Sequence, residues 1–149
     1  MKVYIDTCSL NRIFDDQSQP RIYMESSSML IIFRLIDAKA IEFVSSDVLL
    51  FENSGNPYEE RLEFVKLCLQ NASRIQPLDE NILKRAEEIE QLQIKGLDAL
   101  HLACAEKLKA TYFITCDDTI IKRYKGTVTV QNPVDFISGI FKKEKSNDN

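Results

Sequence analysis

The sequence predicts an α/β fold, a three-layer α/β/α sandwich with a central, mainly parallel β-sheet. Short runs rich in β-branched and aromatic residues alternate with longer runs whose apolar residues recur at helical spacing. Strands separated by helices in this way are typical of a parallel sheet that is covered on both faces. The first strand, Lys2–Ile5, runs straight into a carboxylate, Asp6.

The first half of the chain predicts two strands and three helices. After Asp6, residues 10–20 are polar and are expected to form a short helical turn and then a surface loop. The apolar spacing predicts a helix from Arg21 to Ala38. The next elements are a strand at Ile41–Ser45, a helix from Val48 to Glu52 capped by Ser45–Asp47, and, after the break at Asn53–Pro57, a helix from Pro57 to Leu69 with Pro57 near its first turn.

The second half continues the alternation. Arg74–Gln76 is either a short strand or a connector, and Gly96 separates two helices. The remaining predicted elements are the helix Glu80–Gln93 capped by Asp79, a largely buried helix Leu97–Lys109, the strand Thr111–Thr115, the helix Thr119–Tyr124, the strand Thr127–Val130 and the helix Pro133–Phe141. The polar residues 142–149 are expected to fray.

Length and composition predict one domain. The chain has 149 residues, enough for one full core and too few for two ordinary domains, so residues 1–141 are expected to form a single domain followed by the tail 142–149. No apolar run approaches the roughly 20 residues that a membrane span needs. The N-terminus does not resemble a signal peptide, since one lysine is followed by a strand.

The cysteines and the net charge narrow the class of protein. Cys8, Cys68, Cys104 and Cys116 are far apart and form no CxxC pair, so we expect reduced thiols and a cytoplasmic location. With a single histidine, His101, a zinc site is disfavoured. The net charge of −4 does not favour broad nucleic-acid binding through a basic surface, but it is compatible with an enzyme that binds metal ions.

Acids follow two of the predicted strands. Asp6 and Asp117 come after Lys2–Ile5 and Thr111–Thr115, and the carboxyl ends of parallel strands lie at the same edge of the sheet. Glu52 closes a short apolar helix, and Asp98 opens a very apolar one. Clustered carboxylates repel one another unless some are protonated or a hard cation binds among them. Mg²⁺ and Mn²⁺ prefer such oxygen ligands, and these ions suit phosphoryl chemistry.

Each acid also has an ordinary structural interpretation. Asp6 is compatible with a turn, Asp98 with a favourable position near a helix N-terminus, and Glu52 with a solvated position on its helix. Asp117 or Asp118 is suited to cap the helix that begins at Thr119. Asp118 is alternatively a second acid of the site, and His101, three residues after Asp98, either assists there or packs in its apolar helix.

Four segments resemble the PIN domain family. They are Val3–Leu10 (VYIDTCSL), Leu49–Glu52 (LLFE), Leu97–Ala105 (LDALHLACA) and Phe113–Asp117 (FITCD). Their order and spacing match from residue 2 to about 131. The resemblance implies a metal-dependent endoribonuclease that hydrolyses RNA phosphodiester bonds. By it, Asp6, Glu52, Asp98 and Asp117 bind Mg²⁺ or Mn²⁺, directly or through water, while Thr115, and Thr7 or Ser9, orient these ligands or the attacking water.

Small stand-alone members of this family are often toxins of type II toxin–antitoxin pairs, similar to VapC, and frequently homodimers. The resemblance therefore implies a small antitoxin partner, an RNA substrate and no membrane. Asn11, Arg12, the loop Asp15–Gln19 and Asn53–Pro57 depart from the common pattern. Candidate RNA contacts are Arg12, Arg34, Lys122 and Arg123.

Two other functions fit the strand-end acids. A receiver-like signalling module has a phospho-accepting Asp on a similar α/β/α plan, but it usually has a Lys at a later strand end, and here the strand Thr127–Val130 ends in Gln131. A catalytically silent PIN-like binding protein would retain the fold without the reaction. The presence of all four acids argues against the loss of the site.

Overall fold

The central sheet has β1 in the middle and every strand parallel to its neighbours. The computed structural model describes residues 1–147, with side chains for residues 1–145. The strand order is β3-β2-β1-β4-β5. The strands are β1 Lys2–Ile5, β2 Glu42–Ser46, β3 Arg74–Gln76, β4 Tyr112–Ile114 and β5 Thr129–Gln131. The predicted α/β sandwich with a mainly parallel sheet is confirmed.

Helices connect successive strands, as parallel pairing requires. They are α1 Thr7–Leu10, a 3₁₀ turn Arg12–Phe14, α2 Pro20–Asp37, α3 Asp47–Ser54, α4 Glu59–Gln70, α5 Glu80–Glu90, α6 Gly96–Lys107, α7 Asp118–Arg123 and α8 Pro133–Asn147. None of the helices within residues 1–147 has the length and apolar character needed to cross a bilayer.

Alternating side chains of the strands face two different helical layers. On β4, Phe113 stacks on Tyr4 of β1, whose ring also contacts His101 of α6. The preceding residue, Tyr112, packs edge-on against Phe136 of α8. Because successive residues of a strand point to opposite faces, α6 and α8 cover opposite faces of the sheet. The buried core therefore lies on both sides of β1, whose residues Val3, Tyr4 and Ile5 are fully buried.

Several predicted boundaries are wrong. Pro57 lies outside α4, which begins at Glu59, because the Asn56 side chain accepts the Tyr58 N–H and holds the chain in a turn. The helical turn expected from residue 10 begins at Thr7, where Asp6 caps it. The helix α5 ends at Glu90, and Gln93 then adopts a positive φ of 64°.

The C-terminal helix is longer than predicted. It was expected to end at Phe141, but α8 continues to Asn147, so 142–147 is helical rather than frayed. Its last described side chains are exposed and charged, which is typical of a solvated helical face and resembles a polar tail in sequence. Residues 148 and 149 of the expected tail lie outside the described residues.

The pairing of β1 with β4 positions the strand-end acids. Ile5 is in register with Ile114, and the Asp6 N–H donates to the Ile114 carbonyl at 3.1 Å. The chain therefore leaves both strands at the same edge of the sheet, with Asp6 after β1 and Thr115 to Asp117 after β4. Both turn immediately into short helices, α1 and α7.

Candidate active site

The four predicted acids line one cleft of about 570 Å³ at this edge of the sheet. Asp6 comes from the end of β1, Glu52 from α3, Asp98 from the first turn of α6, and Asp117 from the N-cap of α7. The other lining residues are Thr7, Cys8, Asn11, Asp15, Asn56, Pro57, Tyr58 and Arg61. The geometry thus brings together side chains that are far apart in sequence, while their role as metal ligands stays a prediction.

Asp6 is almost completely buried and caps α1. Its Oδ1 accepts the Ser9 N–H at 3.0 Å, and the Cys8 Sγ lies 3.2 Å from both carboxylate oxygens. Burial raises the pKa of Asp6, although hydrogen bonds from Thr115 and Cys8 oppose the shift. Asp6 therefore combines the expected turn position with a place in the cleft, because capping engages only one of its two oxygens.

Thr115 joins the two acids at the ends of the central strands. Its buried hydroxyl oxygen accepts the Asp117 N–H at 3.0 Å, and its hydroxyl opposes the rise in the pKa of the Asp6 carboxyl group. Asp117 in turn caps α7 through Oδ1, which accepts the Thr119 N–H at 2.8 Å. The predicted orienting role of Thr115 is therefore compatible with its contacts to both acids.

Glu52 is oriented by two donors that reach the same oxygen. Its Oε1 accepts hydrogen bonds from the Thr7 hydroxyl and from His101 Nε2, the latter at 3.1 Å. Burial raises the pKa of Glu52, but the bonds from His101 and Thr7 outweigh it and hold the pKa below its ordinary value. The described residues provide no hydrogen bond to Oε2.

Asp98 experiences the repulsion that clustered carboxylates predict. Burial raises its pKa to about 6, and the charge of Asp6, followed by those of Asp117 and Glu52, adds to the effect against an opposing contribution from His101. The only cationic side chain among the described residues that line the cleft is Arg61, which is paired with Asp15 at 3.1 Å. The four acids therefore have no cationic side chain of their own in the cleft.

A hard divalent cation fits this donor set. Within residues 1–147, no group of three or more His, Cys, Asp or Glu side chains is arranged so that it could hold a metal ion. Mg²⁺, however, usually keeps several waters and takes only one or two carboxylates directly. Four carboxylates around a cleft, with raised pKa values at Asp6 and Asp98, are the oxygen-rich and negatively charged surroundings that such a hydrated ion requires.

One wall of the cleft was not predicted. Asn56 donates to Asn11 Oδ1 at 3.3 Å, which joins two segments that depart from the family pattern, and Arg61 of α4 pairs with Asp15. The Arg61 guanidinium also lies 5.0 Å from the ring centroid of Tyr58, an exposed residue of this wall. The Asn56–Asn11 and Arg61–Asp15 contacts link positions 45 or more residues apart, so no local pattern in the sequence could have indicated them.

Of the other acids and bases weighed from sequence, two have different places from those expected. Asp118 neither caps α7 nor lines the cleft, because it is exposed and pairs with Arg21 at 2.7 Å. Arg12, a candidate RNA contact, is held by Asp15 and by buried Glu25. The predicted packing of His101 is correct, since the ring is fully buried, yet the same ring contacts Glu52.

A small recess of about 210 Å³ adjoins the cleft and shares two of its acids. Asp98 and Asp117 line both, and the recess adds the basic side chains of Lys95 and Arg123. Arg123 donates to the Gln93 carbonyl at 2.9 Å, which orients the guanidinium without neutralising it. Arg123 is thus the candidate RNA contact that lies beside the acids.

One family of known proteins matches most of the chain. The family model described as the PIN domain matches residues 3–126. Comparison with curated proteins gave no match.

Three solved structures are similar to this chain, and one of them is described as a toxin–antitoxin complex. The Rickettsia felis VapBC2 complex, bound to a DNA fragment from its promoter, contains a chain with TM-score 0.59 and 16% identity, covering 89% of this chain and 98% of that one. A chain of a Klebsiella pneumoniae toxin–antitoxin complex has a TM-score of 0.56 and 20% identity, and the match covers 88% of this chain and 97% of that one. A chain of FitAB bound to an IR36 DNA fragment has a TM-score of 0.56 and 19% identity, and the match covers 89% of this chain and 95% of that one. At these identities the likeness establishes the fold.

Proposed function

The chain belongs to the PIN domain family, and from this premise we propose that it is a Mg²⁺- or Mn²⁺-dependent endoribonuclease. PIN domains are generally nucleases. The observation that carries the proposal is the cleft in which Asp6, Glu52, Asp98 and Asp117 meet without a cationic side chain to neutralise them. A site that keeps such repulsion gains from it when a cation and a phosphate bind there.

The residues of the cleft have separate roles in the proposed reaction. Asp6, Asp98, Asp117 and the free oxygen of Glu52 would hold the ion, directly or through water. When bound, a divalent ion lowers the pKa of a coordinated water and stabilises negative charge on the phosphate. Thr115 keeps Asp117 in place by accepting its N–H and favours the ionised form of Asp6, and Thr7 keeps Glu52 in place.

The recess beside Asp98 and Asp117 supports an RNA strand as the substrate. A phosphate backbone that entered the cleft would meet four acids, so attraction has to come from nearby cations. Lys95 and Arg123 provide two positive charges at the shared wall. We therefore place the neighbouring phosphate of the strand against these two side chains.

The substrate path is tested by binding measurements over a range of salt concentrations. Lys95→Ala and Arg123→Ala should each weaken binding of single-stranded RNA and reduce the slope of log K against log salt by roughly 0.7. Arg74→Ala is the matched control, because it removes one exposed positive charge from the start of β3. This strand is the outermost one on the side of the sheet away from β4 and β5. Equal effects of all three substitutions would contradict a defined path.

The reaction itself is tested with Asp6→Asn and Asp117→Asn. Both should abolish Mg²⁺- or Mn²⁺-dependent cleavage of RNA while the circular dichroism spectrum stays that of the folded protein. RNA cut by Asp6→Asn at the wild-type rate would refute the mechanism. Wild-type protein that binds no Mn²⁺ in calorimetry and cuts neither RNA nor DNA would indicate a silent binding protein, and a mass increase after incubation with a small phosphodonor would indicate a receiver-like module.

We further propose that the nuclease is the toxin of a type II toxin–antitoxin pair. One of the chains with the same fold comes from a toxin–antitoxin complex, and two exposed aromatic rings offer contacts to a covering partner: Phe51, next to Glu52, and Tyr58, at the cleft wall. Expression of the chain should arrest bacterial growth, and Asp6→Asn should relieve the arrest. Co-expression of a small protein encoded immediately upstream should restore growth. The homodimer and the cytoplasmic location stay predictions, the first testable by light scattering.

A further inference from the structure

A hydrogen-bond network runs from the core of the molecule to the cleft. Ser46 Oγ lies 2.6 Å from the Tyr4 hydroxyl, which lies 2.7 Å from His101 Nδ1, and His101 Nε2 lies 3.1 Å from Glu52 Oε1. Ser46, Tyr4 and His101 are fully buried. The network joins β2, β1, α6 and α3, and only its last residue, Glu52, lines the cleft.

The direction of each hydrogen bond follows from its two ends. At one end, Ser46 Oγ already accepts the Leu49 N–H at 3.1 Å, so its own hydrogen is available to Tyr4. At the other end, an ionised carboxylate only accepts, so His101 Nε2 carries a hydrogen toward Glu52. A neutral imidazole has one N–H, and Nδ1 therefore accepts from the Tyr4 hydroxyl. Every donor in the network then has an acceptor.

We propose that His101 is a positioning residue, held by Tyr4 and Ser46 in the Nε2–H tautomer so that it fixes Oε1 of Glu52 and leaves Oε2 for the bound ion or its water. The hydrogen-bond pattern of Glu52 supports this role. Both of its donors, Thr7 and His101, reach Oε1, and none of the described residues donates to Oε2. The last step, from Oε2 to the ion, rests on the proposed function, whereas the tautomer does not.

Packing alone would not require this arrangement. A buried histidine needs a partner at each ring nitrogen, but packing does not require that partner to be Tyr4, which would pack equally well as phenylalanine, since its ring already stacks on Phe113 at a centroid distance of 5.4 Å. Instead, a buried hydroxyl is placed against the ring nitrogen that faces away from the cleft. Partners of this kind set the tautomer and orientation of a side chain beside a metal site.

The tautomer is measured by long-range ¹H–¹⁵N correlation spectra of metal-free protein. The chain has a single histidine, so the two imidazole nitrogen signals need no assignment by mutation. We expect a protonated Nε2 and an unprotonated, hydrogen-bonded Nδ1, and we expect Tyr4→Phe to shift the Nδ1 signal. A protonated Nδ1, a doubly protonated ring or an averaged pair of signals would overturn the proposal.

The effect on the site is measured with His101→Leu and His101→Gln. Leucine fills the space without a donor, while glutamine keeps an N–H near the position of Nε2. His101→Leu should lower Mn²⁺ affinity in calorimetry, and the rate of RNA cleavage, by roughly 10- to 100-fold, and His101→Gln should recover part of both. Equal losses in the two variants, or no loss in either, would overturn the positioning role.

The two proposals fail in different ways. If the wild-type protein cuts no RNA under any metal condition, the proposed function is wrong, while the spectra of the single histidine still decide whether Tyr4 and Glu52 hold it as described. If the wild type cuts RNA and the spectra show another tautomer, only the role of His101 is wrong. Should both His101 variants fail to fold, Tyr4→Phe tests the same network by removing only the hydroxyl oxygen of Tyr4.

Discussion

The acidic cleft should make the metal-free protein less stable than it would be without one of its acids. Asp98→Asn removes a negative charge from α6 and keeps nearly the same side-chain shape. In the folded protein, burial and the neighbouring charge of Asp6 raise the pKa of Asp98 from 3.8 to about 6. An unfolded chain has no such cluster, so its Asp98 titrates near the ordinary value.

The magnitude and sign follow from this shift. One pKa unit corresponds to about 1.4 kcal/mol, so the shift gives an upper bound of roughly 3 kcal/mol, which solvent screening of this partly exposed side chain reduces to about 1 kcal/mol. Because the folded pKa is raised, the protonated form stabilises the fold below pH 4, and this stabilisation is lost as the pH rises through 6. At pH 7 the variant should therefore be more stable by about 1 kcal/mol, or about 3 °C in Tm.

The assay is thermal unfolding of metal-free protein in a chelator at several pH values. At pH 7 Asp98→Asn should unfold at a higher temperature than the wild type, and the gap should close toward pH 4. Asp135→Asn is the matched control, since it removes an acid from the third position of α8, as Asp98 occupies the third position of α6, but on an exposed site away from the cleft. Asp135→Asn should be slightly destabilising through the helix dipole. A variant at Asp98 that is less stable at pH 7, or a gap independent of pH, would refute the reasoning.

Three further measurements follow from the same structure. Mn²⁺ at ten times its Kd should stabilise the wild type by about 1.4 kcal/mol in thermal unfolding, and it should leave Asp6→Asn almost unaffected. Glu25→Ala should lower the free energy of unfolding in urea by about 3 kcal/mol, because buried Glu25 pairs with both Arg12 and Arg21. Leu102→Ala, on the buried face of α6, should cost about 3 kcal/mol in the same assay; a loss below about 1 kcal/mol in either variant would contradict its assigned burial or pairing.

The elements of the fold could be predicted wherever a local pattern decides the structure. The apolar spacing of residues 21–38 and the apolar character of residues 97–109 predicted α2 and α6, whose observed bounds differ by only one or two residues. Boundaries were missed where a side chain competes with the helix, as at Asn56 before α4, or where a solvated helix lacks apolar residues, as at the end of α8. Neither feature changes the periodicity of the neighbouring residues.

The candidate site could be predicted only in part. The parallel sheet allowed Asp6 and Asp117 to be assigned to one edge from sequence, because strand direction alone determines where both strands end. The hydrogen-bond network through Tyr4 and His101 depends on which face of β1 meets α6, and the wall formed by Asp15 and Arg61 depends on the path of two loops. Both are set by packing between distant segments, which a single sequence does not record.

The acids of this cleft were difficult to interpret one at a time because helix capping and metal binding select the same residue at the same place. Asp6 and Asp117 each accept a backbone N–H through Oδ1 at the start of a helix, as a capping residue does. A carboxylate has two oxygens and about four acceptor sites, so a capping bond fixes its orientation and leaves acceptors free. The capping interpretation and the metal interpretation are therefore not alternatives. The cap holds the carboxylate still at the edge of the sheet, and convergence with Glu52 and Asp98 distinguishes this edge from an ordinary pair of helix starts.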